Sequence, residues 1–238
     1  MRESKGKFET LKFNHRRKKF YEYIKHLKKN KTSIEDLLEH STAYIGHMSL
    51  NRIITLYEIY KKTLKLNGHI AELGVYKGSG SLLFAKLVKI FESESLTQVH
   101  GFEWFKGTDF KNQLDNDLVK KGTYSYDKKK LLDLIKNQGF SNILKIHDLD
   151  ISKNLVTFLN KNPHLRFKLV FLDIGINKVL DIAIPLMWER LVKGGILIFD
   201  QFNHELAPGE TIAINKHLKK KKIMTIKNSW MPNAYIVK

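Results

Sequence analysis

The stretch Gly68-His-Ile-Ala-Glu-Leu-Gly-Val-Tyr-Lys-Gly-Ser-Gly-Ser-Leu-Leu83 constrains the fold more than any other part of the chain. Its apolar run from Ile70 to Leu73 predicts a buried strand, the glycines after it permit a tight turn, and Ser79–Ser81 open an amphipathic helix. Strand, glycine loop and helix in that order belong to α/β folds. Such folds place ligands at the carboxyl ends of their strands, and unpaired amides at a helix start suit an anionic group. The spacing narrows the ligand. Gly74, Gly78 and Gly80 do not make GxGxxG, and no Lys-Ser or Lys-Thr follows a GxxxxG, so neither the dinucleotide nor the P-loop pattern is met. What remains is Glu-x-Gly-x-x-x-Gly-x-Gly.

Downstream, strand and helix patterns alternate. Leu82 to Phe91 reads as helix and Val99–Glu103 as the second strand. Asp127 to Gln138 is a helix closed by Gly139, Ile143–His147 the third strand, and a helix opens at Ser152. Phe167–Asp173 is the fourth strand and Val179 to Val192 a helix despite Pro185; Gly194-Gly195 reads as a tight turn before a fifth strand, Ile196–Asp200. Pro208-Gly209-Glu210 begins a helix running into Lys219–Lys222. Ile223–Ile226 and Ala234–Val237 are the last strands, and the Ser229–Asn233 link between them predicts an antiparallel hairpin. The sum is a doubly wound α/β sheet of about seven strands. Phe110 to Asp127 lacks clean periodicity and reads as a mobile lid.

Upstream of the glycine loop, Ser33 with Glu35 and Asp36 marks a helix start. A second helix from Ser49 to about Leu66 shows Ile53, Ile54, Leu56, Tyr57 and Tyr60 at helical spacing, and Asn67-Gly68 ends it. These helices predict a cap, so residues 1–66 read as a basic helical extension and cap and residues 67–238 as the main domain. His47, in the Tyr44–Met48 link, is either a packed loop histidine or, if the cap folds over the strand ends, a catalyst.

Composition excludes several classes. With 238 residues, 42% of them hydrophobic, the chain suffices for one α/β domain with a full core. It has no cysteine, hence no disulfide framework, thiolate metal site or cysteine nucleophile. No apolar run reaches the length of a membrane span and the first residues are charged, so the expectation is a cytoplasmic protein. A formal charge of +18 suits nucleic acid or an anionic membrane surface. Lysine spread along the whole chain reads equally as solvated charge, and that reading is favoured. An amphipathic basic helix from about His15 to Lys29 leaves the same choice between an anionic partner and ordinary docking.

Chemistry gathers at the strand ends. Glu103 closes the second strand, where a carboxylate accepts both hydroxyls of a ribose, and Trp104 beside it offers a ring to an adenine or to the core. Asp150 either accepts from an adenine amino group or caps the helix at Ser152. Asp173 and Asp200 end the fourth and fifth strands.

An acid at a strand end, glycines in the turn and an acid closing the next strand resemble the first motifs of class I S-adenosylmethionine-dependent methyltransferases, with Glu72 and Glu103 in those places. Three segments together resemble a narrower group, the macrocin O-methyltransferase-like family of sugar O-methyltransferases. They are Ala71-Glu-Leu-Gly-Val-Tyr-Lys-Gly78, Phe171-Leu-Asp-Ile-Gly175, and Gly194-Gly-Ile-Leu-Ile-Phe-Asp-Gln-Phe202 with Pro208-Gly-Glu210 and Pro232-Asn-Ala-Tyr235. The likeness runs from about Tyr44 to the C-terminus. It implies S-adenosylmethionine as cofactor, held by Glu72, Gly74, Tyr76, Gly78, Ser81, Glu103, Trp104, Asp150 and Asp173. It implies a methyl acceptor that is a sugar, a sugar nucleotide or a similar small polar molecule, with Asp173 as the base; a homo-oligomer is compatible with it. In that family the fourth-strand motif reads Leu-Asp-x-Asp and the fifth ends Asp-Asp, and these acids hold a divalent metal beside the acceptor hydroxyl. This chain keeps Asp173 and Asp200 but has Gly175 and Gln201 in the other two places. The implied metal set is therefore Asp173, Asp200 and Gln201, a weak site for Mg²⁺ because hard cations prefer carboxylates to amides.

Two other functions compete. The positive charge suits a nucleic-acid methyltransferase or binder, although no RNP-type or zinc-knuckle signature is present and Asp173 is not followed by Pro-Pro-Tyr or Pro-Pro-Phe. The missing acids suit a protein that binds S-adenosylmethionine without catalysis.

Overall fold

The elements run α1 (Asn14–Lys29), α2 (Ile34–Glu39), α3 (Ser41–Tyr44), α4 (His47–Lys61), β1 (His69–Leu73), α5 (Ser79–Phe91), β2 (Val99–Glu103), α6 (Lys128–Asn137), β3 (Leu144–Asp148), α7 (Ile151–Lys161), β4 (Phe167–Leu172), α8 (Asn177–Arg190), β5 (Leu191–Phe199), α9 (Pro208–Leu218), β6 (Met224–Thr225) and β7 (Ala234–Val237). The computed structural model describes residues 14–109, 112–115, 120–204 and 207–238.

Alternation along the strands decides the layers. Leu169 and Phe171 of β4 turn to one face of the sheet, Val170 and Leu172 to the other, and all four are fully buried. A strand buried on both sides needs helices on both. Leu56, Ile59 and Tyr60 of α4, Phe84 and Val88 of α5 and Leu131 and Ile135 of α6 cover the first face. Leu155 of α7, Leu180 and Ile184 of α8 and Ala213 and Ile214 of α9 cover the second.

The sheet has seven strands in the order β3-β2-β1-β4-β5-β7-β6. β1 to β5 pair in parallel, whereas β7 runs antiparallel to both β5 and β6. This is the doubly wound sheet with a terminal hairpin that the sequence predicts. Strand order reverses between β1 and β4, and a crevice opens there at the carboxyl edge.

Several boundaries move. α4 starts at His47 and stops at Lys61, because Lys62, Thr63, Leu64 and Leu66 bond carbonyls only three residues back, which turns the chain instead of extending the helix. Gly194-Gly195 is not a turn before β5 but lies inside it. Phe167 pairs with Leu191 and Leu169 with Ile196, so β5 bulges there, and Gly194 at φ +79° donates to Lys238. The expected lid lies partly outside the described residues. Its described parts are pinned: Asp115 is buried and accepts from the Asn177 amide at 2.7 Å and the Asn112 amide at 2.9 Å, capping α8. The basic helix forms as α1, with exposed aromatics Phe20 and Tyr21.

Candidate active site

β1 ends at Leu73, and Gly74 continues at φ +89°, where a side chain would overlap the Asp173 carbonyl. That close approach lets the ends of β1 and β4 lie side by side, tied by the Asp173 amide donating to Leu73 at 2.9 Å. Behind the loop Glu72 is buried and accepts from the Ser81 hydroxyl, while a Cβ on Gly80 would overlap its carboxylate. Burial pushes the Glu72 carboxyl up to about 7, against the Ser81 hydrogen bond and the charge of Arg52.

A cavity of about 550 Å³ opens at this carboxyl edge. On its β1–β3 side Gly74, Tyr76, Ser79, Glu103, Trp104 and Asp150 line it; on its β4–β5 side Asp173, Gly175, Asp200 and Gln201 do. Glu72, Gly78 and Ser81 do not reach the wall and shape the loop from behind. Glu103 is fixed by three backbone amides: Trp104 at 2.9 Å and Phe105 at 3.0 Å on Oε1, Tyr76 at 2.8 Å on Oε2. A carboxylate has about four acceptor sites, so room for a ligand hydroxyl remains on Oε2. Trp104 is held by its indole N–H on the Gly107 carbonyl at 2.6 Å. Asp150 caps α7, accepting from the Ser152 amide at 2.9 Å, and still faces the cavity. Both readings of that residue meet in one side chain.

The other side holds a residue that sequence reasoning missed. Arg52 of α4 donates to Asp173 at 2.7 Å and to Asp200 at 2.5 Å, with its guanidinium carbon 5.0 Å from the centre of the Phe171 ring. Burial works against the Arg52 charge, but Asp200 and Asp173 outweigh it and hold the pKa above its ordinary value. Burial at the cavity floor raises the Asp173 carboxyl well above the usual carboxylate range; Asp200 pushes it further up and Arg52 pulls it down. Glu210, fully buried on α9, accepts from the Gln201 amide at 2.9 Å, which positions the turn after β5. Burial raises its carboxyl too.

A signal for Arg52 was present. Residues 52, 56, 59 and 60 share one helical face, and the buried members Leu56, Ile59 and Tyr60 make that face the core side. Ile53 and Ile54, assigned to the apolar stripe by spacing, are exposed. A lone arginine on the buried face of a helix calls for acidic partners. His47, by contrast, is exposed at the start of α4 and does not line the cavity.

The residues present do not fit a divalent cation. Such ions take six or more oxygen ligands. Here the two carboxylates are already spanned by Arg52, Gly175 offers no side chain, and no cluster of three or more His, Cys, Asp or Glu suited to a metal occurs among the described residues. The cofactor implied by the sequence does fit: a glycine loop at a helix start, an anchored carboxylate at the next strand end and a ring beside it line one side of the cavity.

Residues 71–202, more than half of the chain, match the methyltransferase domain family. The chain belongs to that family. No curated protein sequence matches it. Among solved structures it is similar to CalS11, a calicheamicin methyltransferase, with a TM-score of 0.82 at 21% identity over 92% of this chain and 90% of that one. A second structure of CalS11, described as a TDP-rhamnose 3'-O-methyltransferase, gives 0.75 at 22% identity over 92% of each chain. The O-methyltransferase NovP gives 0.68 at 12% identity over 79% of each. TomG from Streptomyces achromogenes, an O-methyltransferase solved with S-adenosylmethionine, gives 0.50 at 11% identity over 80% of this chain and 79% of that one. The sheet order, the glycine loop and the family match together make this methyltransferase an S-adenosylmethionine-dependent enzyme of class I. No helix of the described residues is long and apolar enough to cross a membrane.

Proposed function

We propose that this methyltransferase transfers the methyl group of S-adenosylmethionine to a hydroxyl of a sugar, a sugar nucleotide or a similar small polar acceptor. The observation that carries the reading is the division of one cavity: Glu103, Trp104 and the glycine loop on the β1–β3 side, Asp173 and Asp200 on the β4–β5 side. CalS11, described as acting on TDP-rhamnose, supports the acceptor class.

When bound, the sulfonium supplies an electrophilic methyl group. The residues of the chain then have two tasks, alignment and proton removal. Glu103 would hold the ribose, Trp104 and Asp150 the adenine, and Gly74, Tyr76 and Ser79 the amino-acid end. Glu72, Gly78 and Ser81 keep the loop in shape. Asp173 takes the acceptor hydroxyl proton; a carboxyl that burial raises above the usual carboxylate range is a stronger base than an ordinary aspartate. Asp200 stays paired with Arg52 beside it.

Incubation with labelled S-adenosylmethionine and a panel of nucleotide sugars tests the reading. Label should appear in a nucleotide sugar, with S-adenosylhomocysteine formed in equal amount. Binding of S-adenosylhomocysteine with no transfer to any sugar, glycan or small polyol would favour a cofactor-binding protein instead, and transfer to RNA would favour the nucleic-acid reading.

A further inference from the structure

The two carboxylates at the ends of β4 and β5 would repel one another in a partly buried cleft without a cation between them. The sequence departs from its resembled pattern at the two positions flanking this pair, Gly175 and Gln201. The structure supplies a cation from elsewhere: Arg52, on a helix 121 and 148 residues away in sequence, donates one nitrogen to each carboxylate. Its planar fork suits two acceptors at fixed spacing, and the Phe171 ring at 5.0 Å supports it from the core side. Two further features disfavour a metal beside Arg52. A Cβ on Gly175 would lie 2.8 Å from Gln201 Oε1, so a side chain at 175 would require the end of Gln201 to shift and the two residues fit together as they stand. The Gln201 amide nitrogen points to Asp200 at 3.5 Å and to the Met231 sulfur at 3.9 Å, presenting a donor to the carboxylate.

We propose that Arg52 is a built-in organic cation standing in the place of a divalent metal, so that Asp173 and Asp200 are held side by side and their repulsion is offset without one. With two acids in place of four, a singly charged guanidinium in place of a doubly charged ion leaves the same two carboxylates per positive charge. In methyl transfer, Arg52 is thus a positioning residue for Asp173; this part rests on the function proposed above.

Counting bound Mn²⁺ by electron paramagnetic resonance tests the inference without turnover. Wild-type protein should bind no Mn²⁺ at this site at millimolar concentration. Arg52→Ala and Arg52→Gln should each gain one ion, at least about tenfold tighter than wild type, because a positive charge facing two carboxylates has gone. Adding Gly175→Asp and Gln201→Asp to Arg52→Ala should tighten it further, and Mg²⁺ should raise the melting temperature of the Arg52 variants but not of wild type. Should Arg52→Ala not fold, Arg52→Gln and the wild-type count decide. A wild-type ion displaced by Mg²⁺ and lost in Asp200→Asn would overturn the proposal, as would Arg52 variants that fold and gain no ion. S-adenosylhomocysteine calorimetry on the same samples reports separately on the methyltransferase reading.

Discussion

Helix α4 contributes to two charge networks, one at each end. Tyr60, near its C-terminal end, donates to Glu92 at 2.6 Å, and Glu92 pairs with Lys168 of β4 at 2.5 Å; the Lys168 side chain is 0% exposed. Arg52, nearer its start, pairs with Asp173 and Asp200, but the Arg52 and Asp173 side chains remain 25% and 31% exposed to the cavity. The sealed network satisfies its charges internally and reaches no ligand, so it ties α4 to β4 and to the end of α5. The open network sets two carboxylates against one guanidinium and keeps one face toward the cavity. Access to the cavity, together with the second carboxylate, separates chemical charge from structural charge here.

Breaking the sealed network should have the largest effect on stability. Lys168→Ala leaves Glu92 buried without its cation and should cost about 3–5 kcal/mol by chemical denaturation. Folded Lys168→Ala should still bind S-adenosylhomocysteine, since the pair lies away from the cavity; weakened binding by the folded fraction would erase the distinction drawn above.

On the open side, Glu103→Ala should weaken S-adenosylhomocysteine binding by about 2–3 kcal/mol in calorimetry, because ribose hydroxyls lose an anchored acceptor. Unchanged affinity would remove Glu103 from the cofactor site. The three amides it now accepts would also lose their partner, so the melting temperature should be recorded alongside.

A third kind of group, the buried His100 and the half-buried His147, has no ion pair among the described residues. His100 and His147 stack with their nitrogens 3.0 Å apart, and burial lowers their pKa values from 6.5 to about 3 and about 4. Depressed values favour the neutral form in the folded chain. Their contribution to stability is therefore present above pH 6.5 and is lost as pH falls through about 4. Denaturation at neutral pH and near pH 4 should differ by about 2 kcal/mol on account of His147, and His147→Phe should shrink that difference. An equal acid slope in the variant would mean that the pair is not the source.

The smallest effect should follow from removing residues 1–31. The described residues of α1 include none that is buried, so S-adenosylhomocysteine affinity should not change. Loss of RNA or anionic-liposome binding on truncation, if the full chain shows such binding at about 150 mM salt, would instead give the positive charge a partner.

Much of this fold was legible because apolar runs in parallel strands are nearly continuous: Phe167-Lys-Leu-Val-Phe-Leu172 and Ile196-Leu-Ile-Phe199 declare themselves, and each is followed by its acid. Even Lys168, the polar interruption in β4, keeps its place in the sheet by pairing with Glu92. Local turn chemistry marked Ser33 as a helix start and offered Asp150 as a cap, and both cap their helices; Asp127, read as the first residue of its helix, caps it from just outside. What the sequence hides is contact at long range. Nothing local says that Arg52 meets Asp173 and Asp200, and its neighbours Ile53 and Ile54 drew attention to the wrong face of α4. The Gly194 bulge was hidden for a related reason, since a glycine pair reads as a turn until the pairing with Lys238 is seen.

The most direct test of the account compares Asp173→Asn with wild type for methyl transfer to a verified nucleotide-sugar acceptor, with S-adenosylhomocysteine affinity measured on both. The amide keeps the shape and an acceptor oxygen for Arg52 but cannot take a proton. Transfer should fall at least about a hundredfold while cofactor affinity stays unchanged. Asp173→Asn turning over at the wild-type rate would contradict the account and leave the carboxylates of β4 and β5 a purely structural role.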